Sequence, residues 1–187
     1  LPPLKREELN EQQKKSYDAL TAPRKGNLNL AGIKGPGGVN LRMPKLASSM
    51  GDMNRVMRSE LGLDSRLVEV AILATAREMK SQFEWAMHEP VALQKGVSAA
   101  TIDLVRHGSP LTGVPADEAA LIAIAREAVG AKQVSAASYA KALALFGEET
   151  LLHYSMLISN YAQTAVLLCI VGQQLHDDQS PGLPAEF

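Results

Sequence analysis

A single cysteine, Cys169, stands among 187 residues, so neither an internal disulfide nor a Cys-x-x-Cys redox centre can form. Aromatic residues make up only 4% of the chain, while Ala, Leu and Met are plentiful, a balance that favours helices packed at close range. Charge of one sign is lacking too. The net charge of −1 points to neither a nucleic-acid partner nor an anionic membrane surface. No apolar run reaches 18 residues and no secretory leader opens the chain, so the expected location is the cytoplasm. The start at Leu1 rather than Met suggests that residues precede it. No histidine is spaced as HxH, HxxxH or HExxH, and no metal site is expected. Nothing reads as a strand.

What is present is helical periodicity. Hydrophobic residues at 46% against 21% charged suffice for one folded domain with a real core. Residues 1–40 read as an N-terminal arm, helix-prone from Glu7 to Leu20. A Gly/Pro-rich loop then runs from Thr21 to Asn40, whose Gly35-Pro36-Gly37-Gly38 lacks the Lys-Ser/Thr of a phosphate loop. Residues 41–176 read as the helical domain. Pro44 opens a helix to about Glu60. Asp64 or Ser65 caps the next, from Arg66 to Lys80, which leads into a Ser81–Gln94 helix interrupted by Pro90. Ser98 caps Ala99–His107, Pro115 opens a helix to Val129, and Ser135 caps a short one ending at Phe146–Gly147. A long apolar helix runs from Glu148 to Leu175, with Cys169 as a buried small hydrophobe; His176, expected in solvent, follows it, and 177–187 form a polar tail. The expectation is an all-α bundle of about eight helices.

The chemistry concentrates in Ser81-Gln82-Phe83-Glu84-Trp85-Ala86-Met87-His88, which holds the only tryptophan. In a helix, Glu84 and His88 lie four apart on one face, a candidate acid/base pair. His88, with a free pKa of about 6.5, is the expected proton donor. Glu84 would orient the imidazole or act as a second acid, its pKa raised by a wall of Phe83 and Trp85. Glu69, on the preceding helix, can complete the group or serve as a helix–helix hydrogen-bond partner. A carboxylated substrate calls for cations, with Arg42 first and Arg77 second. The competing reading is a solvated surface Glu/His pair and ordinary surface arginines.

The run Leu67-Val68-Glu69-Val70-Ala71-Ile72-Leu73, with Ala76-Arg77, Ser81-x-Phe83-Glu84-Trp85-x-x-His88 and Gly96-Val97-Ser98, resembles the carboxymuconolactone decarboxylase family. The related alkylhydroperoxidase D proteins carry a Glu-x11-Cys-x2-Cys-x3-His motif whose spacing falls on Glu69, Ser81, Glu84 and His88. A serine and a carboxylate cannot cycle through thiolate and disulfide, so thiol peroxidase chemistry is set aside. The resemblance implies a compact bundle of the alkylhydroperoxidase D-like type and a homo-oligomer, trimer or hexamer. It also implies a lyase of aromatic catabolism that needs no cofactor and decarboxylates a small carboxylated lactone or oxo acid. On that reading His88, Glu84 and Glu69 are catalytic, while Trp85, Ser81, Phe83, Arg42 and Arg77 bind substrate. The alternatives are a hydrolase or isomerase on the same scaffold and a non-catalytic oligomer that binds a small molecule.

Overall fold

The computed structural model describes residues 1, 4–22, 34–173, 175–176 and 179–185. Among them the chain is all-α, with eight helices and no strand. These are α1 (Glu11–Thr21), α2 (Gly35–Asn40), α3 (Pro44–Ser59), α4 (Ser65–Glu78), α5 (Gln82–Gln94), α6 (Ala99–His107), α7 (Ala116–Ala125) and α8 (Ala136–Ile170). A six-residue π-type segment, Arg126–Ala131, prolongs α7.

Helix starts follow local chemistry. Asp64, Ser81, Ser98 and Ser135 each sit at an N-cap, with the side chain accepting from a backbone N–H of the first turn. Asn10 and Gln13 form a reciprocal capping box on α1. Pro90 lies inside α5 and removes one backbone donor, yet the helix continues past it. The break at Gly147 is also present. Its φ of 73° and ψ of 169° suit glycine alone and split α8 into two runs.

Helix α4 is the hub. Every residue from Leu67 to Ala76 is buried, with α5, α6, α7 and α8 packed around it. Ala71, Ala74 and Ala76 let those neighbours approach closely, and the core fills with Ile72, Leu73, Leu121, Ile122 and Leu157. A smaller cluster of Val39, Phe83, Met87 and Leu168 joins α2, α5 and the end of α8.

Three expectations are corrected. The loop expected over Thr21–Asn40 ends in α2, because Pro36 in the first turn favours a helix start, while residues 23–33 of it lie outside the described residues. Gly35, at φ +81°, is pressed against the Phe83 ring, so a side chain there would collide with it. The last helix stops at Ile170 rather than Leu175, with Gly172 at φ +63° just beyond it. Cys169 is exposed, not buried, because it falls on the outer face of α8 beside Ile170.

Residues of the tail also return to the body. Gln82 clasps Leu183 through two hydrogen bonds, donating from Nε2 to its carbonyl at 2.8 Å and accepting from its N–H at 2.9 Å. The Leu183 side chain is buried in the core as a result.

Candidate functional site

Helical spacing assembles the site. Phe83 and Met87, Glu84 and His88 are i,i+4 pairs on α5, and Met50, Asn54 and Arg58 repeat the spacing on α3. With Asn160, Tyr161 and Thr164 of α8, they line a cavity of about 260 Å³. Leu20, Lys34, α2 residues through Asn40, and His176 complete its wall.

At one side of the cavity runs a charged chain. Glu69, 2% exposed on α4, accepts from His88 Nδ1 through Oε2 at 2.7 Å and from Arg58 Nη2 through Oε1 at 2.9 Å. Burial pushes the Glu69 carboxyl up, but the His88 hydrogen bond and the two positive partners outweigh it and hold the group below the usual range. With Nδ1 held by Glu69, Nε2 is the His88 ring nitrogen left to exchange a proton. The Tyr161 ring meets the imidazole edge-on at 5.1 Å, and burial raises its hydroxyl so that it stays protonated.

Glu84 is the opposite case. It is 3% exposed, and neither carboxyl oxygen has a hydrogen-bond partner. Burial pushes the group up to about 8, with the nearby Ser81 hydroxyl pulling weakly the other way. At neutral pH it is a carboxylic acid holding its proton. The cavity therefore contains a neutral acid, an oriented imidazole and a guanidinium, a set suited to proton transfer beside an anionic substrate.

The residues singled out in the sequence part company here. His88, Glu84 and Phe83 line the cavity, and Glu69 stands directly behind His88. The carboxylate that orients the imidazole is Glu69 rather than Glu84. Trp85 does not wall the site. One residue on from Glu84, it turns about 100° around α5, where Nε1 donates to Glu89 at 2.8 Å and Arg106 lies 5.5 Å over its ring. Ser81 is spent as the cap of α5. Arg77 ends α4, pairs with Glu78 at 3.0 Å and packs over Gly108, away from the cavity. Arg42 is half-buried beyond α2 and is not a lining residue. His176, expected in solvent, lines the cavity and lies against Phe83 at 5.9 Å.

Two cations on the cavity wall, Arg58 and Lys34, were absent from the sequence expectation. For Arg58 the signal available was the Met50–Asn54–Arg58 stripe, since a polar pair continuing a methionine face points where the methionine points. Among the described residues no group of three or more His, Cys, Asp or Glu side chains is placed to hold a metal ion. No helix among them is long and apolar enough to cross a membrane.

Residues 44–127 match the Carboxymuconolactone decarboxylase family. The matched span runs from the start of α3 into the π-type segment and contains Arg58, Glu69, Glu84 and His88. No curated protein matches the chain.

Proposed function

Because the chain belongs, through residues 44–127, to the carboxymuconolactone decarboxylase family, we propose that it is a carbon–carbon lyase. It would decarboxylate a small carboxylated lactone or oxo acid by proton transfer. The observation that carries this reading is the buried, unpartnered carboxyl of Glu84 in the same cavity as the Arg58–Glu69–His88 chain.

Arg58 draws the anionic substrate in, and a neutral Glu84 lets it approach where a second carboxylate would repel it. When the C–C bond to the carboxylate breaks, CO₂ leaves and the electron pair passes into the conjugated carbonyl. The resulting enolate takes the proton from the Glu84 carboxyl, which becomes a carboxylate. His88, its imidazolium form stabilised by Glu69, returns a proton to Glu84 and is itself recharged from solvent. Tyr161, Phe83 and Met87 shield the enolate from bulk water. In this scheme Glu84 is the donor to carbon, and His88 stands one step behind it.

The test follows the ultraviolet absorbance of 4-carboxymuconolactone with wild-type protein, Glu84→Gln and His88→Ala, with CO₂ measured in parallel. The expected result is one CO₂ per substrate consumed and a fall of about 10²- to 10⁴-fold in either variant. Full activity in Glu84→Gln would sink the assignment of the acid.

Assembly into a homo-oligomer is part of the same proposal. The outer face of α8 leaves Leu145, Leu152, Met156, Val166 and Ile170 exposed, an apolar stripe that favours contact with further copies of the chain. Light scattering giving a monomer mass would refute it.

A further inference from the structure

Glu84 and His88 move the proton and Arg58 meets the carboxylate, but decarboxylation also releases charge onto one further atom. The electron pair lands on the carbonyl oxygen of the lactone or oxo acid before it returns to carbon. In a cavity shielded from bulk water such an oxyanion is costly, and a donor held ready for it lowers the barrier.

Tyr161 of α8 is the side chain whose polar end has no task so far. It lines the cavity with its ring edge-on to His88 at 5.1 Å, and the residue as a whole is 5% exposed. Its hydroxyl makes no hydrogen bond among the described residues, yet it is not one of the occluded polar atoms left without a partner. The oxygen therefore borders open space, and the space beside Tyr161 is the cavity. The charges of Arg58, Glu69 and Glu84 all act on that hydroxyl, which places it among the reacting groups. Burial keeps it protonated, so it can donate a hydrogen bond without giving up its proton.

The other neutral donors of the wall are less well placed. Thr164 is spent on the Asn160 carbonyl and Asn160 on Asn54. Asn40 and Asn54 bond to neither His88 nor Glu84, and His176 lies against Phe83.

We propose that Tyr161 is a catalytic residue whose hydroxyl donates a hydrogen bond to the carbonyl oxygen that becomes the enolate. The inference rests on the reading of the cavity as a decarboxylase site and assigns the one charge which that reading leaves unheld. As the C–C bond breaks and CO₂ leaves, its electron pair moves through the conjugated system to oxygen. The Tyr161 O–H stays intact while it holds the charge. The pair then returns to carbon, and that carbon takes the Glu84 proton.

Tyr161→Phe removes the hydroxyl alone and keeps the ring against His88. No protein hydrogen bond is lost, so circular dichroism and melting should be unchanged. Turnover of 4-carboxymuconolactone is expected to fall about 10²- to 10³-fold in kcat with KM within about threefold, because the bond strengthens only as charge develops. A second arm needs no turnover. Tetronate, a lactone enolate with charge spread onto its carbonyl oxygen, and the uncharged γ-crotonolactone are titrated into both proteins by calorimetry at pH 7. The substitution should weaken tetronate roughly tenfold and shift the crotonolactone about twofold or less. A variant with wild-type kcat, or tetronate affinity that is absent or ignores the substitution, overturns the role of Tyr161. A wild type inert toward 4-carboxymuconolactone whose tetronate affinity still drops in the variant would sink the lyase reading on that substrate and leave the oxyanion donor standing.

Discussion

Glu84 and Glu118 are each 3% exposed, and the fold treats them in opposite ways. Glu118, on α7, accepts from Arg66 Nη1 on one oxygen and from the Thr101 hydroxyl on the other at 2.9 Å, while Arg66 also reaches Asp117 at 2.6 Å. The arrangement ties α4, α6 and α7 together with every carboxyl oxygen answered. Glu84 lines a cavity, and its two carboxyl oxygens are buried with no partner at either. A buried carboxylate that meets a guanidinium and a hydroxyl is a strut; one that meets nothing holds a proton instead. The difference separates structure from chemistry more cleanly than burial does.

The largest effect that can break this comparison is on turnover. Glu84→Gln keeps the shape and the neutrality of the side chain but has no proton to give, so activity should fall about 10²- to 10⁴-fold while the melting temperature at about pH 5, before the wild-type carboxyl has cost much stability, shifts little. The matching change at the strut, Glu118→Ala, should do the reverse. It takes one carboxylate from Arg66, which keeps Asp117, and leaves the Thr101 hydroxyl without its acceptor, and should cost about 2 kcal/mol of stability, discounted because Arg66 is partly exposed. Urea unfolding of both variants beside their specific activities decides the matter. A Glu118→Ala protein that is fully stable would show that the network is idle.

A second effect sharpens the contrast through pH. Folding raises the pKa of Glu84 from its ordinary 4.5 to about 8, so the folded chain binds that proton more tightly than the unfolded one. Stability from this group is therefore complete at low pH and declines as pH rises through the window from 4.5 to about 8. The decline amounts to a few kcal/mol at most. Glu69, lowered in the fold, acts the other way, contributing above its ordinary value and losing that contribution in acid. Urea midpoints of wild type and Glu84→Gln at pH 5 and pH 9 should thus diverge, with the variant the more stable at pH 9. Turnover of the wild type should fade above about 8, where Glu84 ionises. Identical pH dependence in the two proteins would mean that Glu84 is not the buried acid.

Much of the frame was legible because helix ends are local events. Ser81, Ser98 and Ser135 announce their helices by side-chain capping, and Gly147 announces its break through a backbone angle few other residues adopt. Membership of α5 was enough to bring Glu84 and His88 to one cavity, since an i,i+4 pair shares a face wherever the helix docks. The partner of His88 was not decidable that way. Whether the imidazole turns to its own helix or to α4 depends on the packing distance between helices, which small residues such as Ala71 and Ala76 set. Arg58 was illegible for a similar reason. Its charge suggests solvent, and only the neighbouring Glu69 makes its burial tolerable. His176 entered the cavity because the chain after α8 folds back on α5, held by Gln82 some hundred residues away in sequence, and no local pattern encodes that return.

The smallest effect concerns Trp85, where sequence and structure disagree most directly. As the only tryptophan, one residue from Glu84, it invites a role in the site. The structure turns it about 100° around α5 from Glu84, fully buried, bonded to Glu89 and covered by Arg106 and Gly182. Trp85→Phe should remove one hydrogen bond and part of a cation–π contact and leave Glu89 still paired with Arg106. The expected loss is about 1–2 kcal/mol of stability, with KM and kcat unchanged within about twofold, because no cavity wall moves. A Trp85→Phe enzyme with wild-type stability and a tenfold higher KM would place the indole at the substrate after all. It would also dissolve the distinction between the two faces of α5 on which the assignment of Glu84 depends.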